Sequence, residues 1–407
     1  MESIRELYRI GVGPSSSHTM GPKKAAEEFL VRNKDSEAFR ITLYGSLAAT
    51  GKGHLTDWAI LSVLGEDRTS IVWNSEEELP GHPNGMQFEA LNAKGLVADT
   101  VQVYSVGGGA IRYADDEATG PDHVYDLPDL TTIMEMCERK GISYWEYVEQ
   151  CEGKAVWDFL REVWSVMEAA VERGLKTQGV LPGSIGLKRH ASSYFKKTKL
   201  SGPDMQQTGR VTAYALAVAE ENAGGGIIVT APTCGACGIV PAVLYYLRET
   251  QDVTEEEILY ALATAGLFGN VIKHNGSISG AEVGCQGEVG SACAMAAAAA
   301  TQVMGGSVRQ IEYAAEMGLE HHLGLTCDPV DGLVQIPCIE RNACASTRAL
   351  SRAQMSILSD GTHRIPFDEV VEVMTRTGTD LPSLYRETSS GGLAKAYDAR
   401  MKRSACD

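Results

Sequence analysis

Two periodicities divide the chain. Near the N-terminus apolar positions alternate in short runs, and Phe39–Tyr44, Ser70–Trp73, Met86–Leu91 and Val101–Val106 each predict a strand. Helical stretches over Lys23–Arg32 and Leu55–Leu64 are interleaved with them. From Leu130 onward the period is helical. Leu130, Ile133, Met134 and Cys137 share a face, as do Trp157, Leu160, Trp164, Met167 and Val171. Further helices are predicted over Met205–Glu221, Ile239–Arg248, Glu255–Lys273, Ser291–Val303, Val308–His321, Ile339–Leu358 and Phe367–Thr377. The expected architecture is therefore multi-domain α and β. A small N-terminal α+β domain with its linker occupies 1–127, and a larger all-α domain with a C-terminal tail occupies 128–407. Gly120-Pro121, inside the acidic stretch Tyr113–Pro128, marks the linker.

The length of 407 residues fits two cores better than one. A content of 44% apolar and 22% charged residues is that of a globular chain, and a net charge of −17 argues against a nucleic-acid surface. MESIRELYRIG has no apolar core of the signal-peptide kind, and no run is long enough for a membrane span. A cytoplasmic protein is expected, whose ten cysteines are thiols or metal ligands and not disulfides. Ala296–Ala300 reads as a close-packed helix. The basic, Gly/Pro-punctuated stretch Thr177–Pro203 reads as a loop, and the polar tail from Lys395 as mobile.

Candidate chemistry sits in the loops. Ser15-Ser16-Ser17-His18-Thr19, opening a helix, offers hydroxyls, backbone N–H groups and a helix dipole to a carboxylate or phosphate; one N-cap would need only one of them. His54 follows Gly51-Lys52-Gly53. His82-Pro83-Asn84-Gly85 forms a tight turn in which Asn-Gly favours positive φ. Cys285, Cys327 and Cys338 lie on Gly- and Pro-rich turns, where three thiolates could hold an iron–sulfur cluster with one iron open. Any one of them taken alone reads sooner as a small buried hydrophobe. Cys234-x-x-Cys237 lacks a second such pair and reads as loop packing. Cys406, near the C-terminus, is either idle or a ligand that swings in.

Taken together, GVGPSSSHTMGPKKAA, LYGSLAATGKGHLTD, HPNGM, YSVGGG, TAPTCGACGIVPAVL, SISGAEVGCQGEVGSACAMAAA, GLTCDPVDGLVQIPCIERNA and YRETSSGGLA resemble, in order, the iron–sulfur-dependent bacterial L-serine dehydratases in their single-chain form. The resemblance implies a [4Fe–4S] cluster on Cys285, Cys327 and Cys338, with Cys406 matching a displaceable fourth ligand on a tail longer than the family's. It also implies L-serine recognition by Ser15, Ser16, Ser17, Thr19, His82 and Asn84, and a homodimer. The dehydration needs a Lewis acid at the hydroxyl and a base at the α-carbon. His18 or His54 suits the base. Lys273, Asn275, Ser277 and Ser279 are further contributors, Lys273 being equally a solvated helix-end lysine. Two rivals are a non-catalytic iron–sulfur or amino-acid sensor and a pyridoxal-phosphate dehydratase; the latter's lysine motif is absent, Phe195-Lys196-Lys197 being a poor substitute.

Overall fold

The computed structural model describes residues 1–115 and 123–404. Cys406 lies outside the described residues, as does the Gly120-Pro121 linker mark. In chain order the elements are β1 (Ile10–Val12), α1 (Gly21–Arg32), β2 (Ala38–Tyr44), α2 (Gly45–Thr50), α3 (Thr56–Leu64), β3 (Thr69–Asn74), β4 (Gly85–Leu91), β5 (Val97–Ser105) and β6 (Ile111–Tyr113). There follow α4 (Leu130–Lys140), α5 (Tyr144–Glu152), α6 (Val156–Lys176), α7 (Ala191–Lys199), α8 (Pro203–Ala223), β7 (Ile227–Val229), α9 (Ile239–Thr250), α10 (Glu255–Asn275) and α11 (Gly280–Val283). The chain closes with α12 (Ser291–Val303), α13 (Val308–Glu320), α14 (Cys338–Ile357), α15 (Phe367–Asp380) and α16 (Gly392–Ser404). A small sheet domain followed by a larger helical domain is the fold class that the periodicity predicts.

The front sheet runs β3-β2-β4-β5-β6, with β2 and β3 parallel and the remaining pairs antiparallel. Its core joins Phe29 of α1 and Ile60 and Leu64 of α3 to inward-facing Phe39, Ile41, Leu43, Phe88, Val101 and Val103. Alternate residues of β2 and β4 face this core, as strand period 2 requires. The first residues belong elsewhere. Met1, Ile4, Leu7 and Tyr8 enter the helical core, and β1 pairs antiparallel with β7. The sequence reading missed β1 because three residues carry no usable alternation.

In the helical domain α12 packs against α9, α10, α13 and α14. Its alanines from Ala292 to Ala300 are buried, which lets the neighbours approach closely. A Cβ on Gly318 of α13 would stand 3.0 Å from the Ala294 Cα.

Three local expectations differ from the structure. Thr177–Pro203 is not all loop: α7 forms because the Glu220 carboxylate accepts the His190 and Ala191 N–H groups at 2.6 and 3.2 Å, and Phe195 packs on Tyr214. The tail from Gly392 is helical, and its start is fixed by Leu393 N–H donating to Asp328 Oδ2 at 2.7 Å. At His82–Gly85 neither Asn84 nor Gly85 takes positive φ. Instead the Asn84 N–H donates to His82 Nδ1 at 3.1 Å and Gly85 starts β4 opposite Tyr104.

Candidate active site

The serine-rich loop folds as a wide turn, with Met20 N–H reaching back to the Ser15 carbonyl at 3.1 Å. Gln286–Gly290 forms a second such turn at the head of α12. Wide i→i+5 turns recur at functional sites because they re-aim side chains out of the regular helical array. The first presents Ser15, Ser16, Ser17, His18 and Thr19, all buried. Ser15 Oγ accepts the His18 N–H at 3.1 Å, and Thr19 Oγ1 donates to the His54 carbonyl at 2.7 Å, tying the two histidine loops together. Thr56 Oγ1 donates to the His18 carbonyl. The His18 and His54 rings lie 4.6 Å apart between centroids.

The two histidines are held differently. His18 uses both ring nitrogens: Nδ1 lies 2.9 Å from Ser17 Oγ and 3.1 Å from Glu387 Oε1, and Nε2 lies 3.2 Å from Ser46 Oγ. His54 Nδ1 is buried and has no hydrogen-bond partner among the described residues. Burial pulls the His54 pKa down to about 3, and neighbouring His18 adds to the shift, so the ring is neutral near pH 7. Burial alone would push the Glu387 carboxyl up. The charge of His18 and the hydrogen bonds from His18 and Ser17 outweigh it and hold Glu387 down at about 2.

On the helical side Cys285, Cys327 and Glu288 bring ligand atoms within 4.8 Å of one another. Glu288 Oε2 lies 4.0 Å from Cys285 Sγ and 3.8 Å from Cys327 Sγ. A hydrogen bond with Cys327 takes the Cys285 thiol down to about 6, with Arg341 adding to the effect, while the same bond pushes Cys327 up. Desolvation raises the Glu288 carboxyl well above the usual range, and the Cys285 charge acts in the same direction. Cys338 is not in that compact group, but it opens α14 and feels the charges of Cys285 and Arg341. Arg341 donates to the Thr326 carbonyl at 2.6 Å and stands 3.8 Å from Asp328, a cation set among three sulfurs.

One segment links the two walls. Cys327 N–H donates to the Tyr385 carbonyl at 2.8 Å and Thr388 N–H to the Cys327 carbonyl at 3.2 Å, with Glu387 between them reaching to His18. His82 Nε2 lies 3.4 Å from Glu282, which also bonds Ser277. Asn84 Oδ1, Thr233 Oγ1, Ser279 Oγ and Glu387 Oε2 are buried and without a partner among the described residues. Buried polar groups are rarely left so, and their concentration in these loops points to a polar ligand.

Two nominated residues are turned elsewhere. Lys273 pairs with Glu2 and reaches the Glu6 carbonyl, and Asn275 donates to the Pro128 carbonyl at 2.8 Å. Lys273 thus ties α10 to the N-terminal segment, not to solvent, and Asn275 ties the end of α10 to the stretch before α4. Sequence reasoning did not nominate Glu288, Arg341, Ser46 or Glu387. Glu288 carried the available signal, an acidic residue in an otherwise small, apolar run after Cys285.

The loops of the front domain seat directly on the helical domain. Asn222 Nδ2 donates to the Pro14 carbonyl at 2.8 Å, and a cavity of about 110 Å³ lies beside Gly53 and Leu55 against Leu333–Gln335. A Cβ on Gly53 would stand 2.7 Å from the Gly332 carbonyl oxygen. Gly53→Ala is expected to cost about 1–3 kcal/mol of stability, since neither backbone can give way freely, and to displace His54. Denaturant melts and turnover of the variant check this.

His322 is a second buried, depressed histidine: burial takes it to about 4. Between that value and the unfolded one near 6.5, the unfolded chain binds a proton that the folded chain does not, so stability falls as pH drops below about 6.5. Glu220 and Glu316, each raised by burial to about 7, act in the opposite sense, so the test is a difference. The loss of unfolding free energy from pH 7 to pH 5 should be smaller in His322→Gln than in the unsubstituted protein, by about 2 kcal/mol. Equal losses would contradict the assignment.

Fold and site together define an enzyme whose polar groups converge where a sheet domain meets a helical one. The comparisons with known proteins give the family. Residues 3–68 match the model of the serine dehydratase beta chain and residues 70–394 that of the serine dehydratase alpha chain. The break between the matches falls at Thr69, the first residue of β3, inside the front sheet. The chain is 41% identical to the L-serine dehydratase of Streptomyces coelicolor, over 96% of this chain and 98% of that one. It is 41% identical to L-serine dehydratase 1 of Escherichia coli K12, over 97% and 99%, and 36% identical to the L-serine dehydratase of Helicobacter pylori, over 97% and 98%. The chain belongs to the serine dehydratase family, a family of lyases.

Proposed function

We propose that the protein converts L-serine to pyruvate and ammonia, with a [4Fe–4S] cluster held by Cys285, Cys327 and Cys338. The observation that carries the acid–base part is His54: a buried, neutral ring with one nitrogen free, beside a second histidine whose nitrogens are both engaged. The thiol-rich donor set, with a depressed Cys285 and an adjacent guanidinium, fits an iron–sulfur cluster. When bound, the cluster supplies a Lewis-acidic iron for the β-hydroxyl. His54 Nδ1 removes the α-proton and passes it to the departing β-hydroxyl, which leaves as water. The resulting 2-aminoacrylate tautomerises to an imine, which hydrolyses to pyruvate and ammonia.

His18, fixed by Glu387, Ser17 and Ser46, keeps the His54 ring oriented. The Ser15–Thr19 turn, Asn84 and Ser279 supply hydrogen bonds to the carboxylate and amino ends of the substrate, and burial excludes water from the enamine. Cys406 belongs to the same proposal as a displaceable thiol ligand. No helix among the described residues is long and apolar enough to cross a membrane. A cytoplasmic homodimer is the proposed setting, with neither nucleic acid nor membrane as a partner. The test is stoichiometric pyruvate formation from L-serine under anaerobic conditions with D-serine as control. A slowed rate with α-deuterated L-serine is expected if His54 abstraction limits turnover.

A further inference from the structure

Glu387 does more than its contact with His18 requires. It is buried, 6% exposed, and Oε1 alone meets Ser17 Oγ at 3.2 Å and His18 Nδ1 at 3.1 Å. Oε2 has no hydrogen-bond partner among the described residues. Its backbone takes φ +44°, a left-handed conformation that a glutamate adopts only under constraint. That constraint comes from both sides, because Tyr385 and Thr388 are bonded to Cys327 and the Glu387 carbonyl accepts from Ser46 Oγ at 3.3 Å. The carboxylate is thereby held between the histidine pair and the sulfur group, and its charge is felt at Cys327 and Glu288. Strained backbone and unpaired buried oxygen together mark a group kept for a ligand.

The other acids nearby are engaged. Glu282 bonds Ser277 and faces His82, and Asp328 accepts from Thr326 and from the Leu393 N–H. Glu288 stands against the two thiols. Glu387 is thus the acid at the histidine wall with an oxygen to offer, and what a lone carboxylate oxygen in a dry site recognises is a cationic N–H donor.

We propose that Glu387 Oε2 is the subsite for the α-ammonium group of the amino-acid substrate. The inference rests on the L-serine reading above and deepens it: Oε1 orients His18 while Oε2 selects amino acids over hydroxy acids of the same shape.

The test compares L-serine with 3-hydroxypropanoate, which keeps the carboxylate and β-hydroxyl but lacks the amine. In the anaerobic holoenzyme the KM for L-serine and the Ki of 3-hydroxypropanoate are measured for the unsubstituted protein and for Glu387→Gln. The expected result is a KM raised at least tenfold with a Ki within about threefold of the original, so that discrimination collapses. A KM and Ki that rise together, or a change in kcat alone, would mean that Glu387 only positions His18 and would overturn the proposal. Should Glu387→Gln fail to fold, Glu387→Asp keeps the charge but withdraws the oxygen. It is expected to lose at least fivefold in discrimination, and unchanged discrimination overturns the proposal equally. Failure of the unsubstituted protein to form pyruvate would instead refute the L-serine reading itself.

Discussion

Cys285→Ser is expected to lose its bound iron and to fall at least about a thousandfold in pyruvate formation. The size follows from what is removed. A Lewis-acidic metal at a poor leaving group supplies several kcal/mol of transition-state stabilisation, and each 1.4 kcal/mol is a decade in rate. Serine nearly matches cysteine in volume, so packing around the buried thiol survives, but its hydroxyl is no substitute for the low-lying thiolate that Cys327 and Arg341 sustain. Cys327→Ser should behave alike, since Cys327 is its partner in that hydrogen bond. Cys344, an exposed thiol on α14, is the control: Cys344→Ser should keep both iron and turnover. Iron content and anaerobic rate are read on the same samples. Full iron and full rate in Cys285→Ser would remove the cysteine group from the mechanism.

Replacing the two histidines separates their roles. His54→Asn should lower kcat by about 10²–10⁴ while leaving the cluster chromophore and the fold in place, the range associated with loss of a general base. The fold is expected to tolerate the change because the His54 Nδ1 has no hydrogen-bond partner among the described residues. His18→Asn should differ in kind. It strips Glu387 of its ring partner and leaves a buried carboxylate short of compensation, so about 3–5 kcal/mol of stability is expected to go with the activity. Denaturant melts beside kcat distinguish the two variants. A His54→Asn enzyme with near-normal kcat would move the base elsewhere.

Much of the site is legible as residue types in loops, and little of it as geometry. The alternation in β2 and β4 and the 3–4 spacing along α6 fix sheet and helices because one face of each is buried. The serines and histidines stand out because glycine and proline punctuate the chain around them. What stays hidden depends on long-range contacts. Glu387 is a glutamate in a polar stretch until Cys327 pins its backbone. Lys273 reads as a contributor to the site until the N-terminal segment supplies Glu2. Helix α7 is written less in its own residues than in Glu220, a full helix away in α8. The compact group of Cys285, Cys327 and Glu288 is likewise absent from any spacing rule, since the thiols meet only where Gly284 packs against the backbone of Leu325 and Cys327.

The most direct test is an anaerobic titration of the metal-free protein with iron and sulfide, following pyruvate formation from L-serine at each step. Activity should rise in proportion to cluster absorbance and level off at about four irons per chain. A fully loaded cluster without pyruvate would fit a sensor and contradict the account, as would pyruvate formed at full rate before any iron is bound.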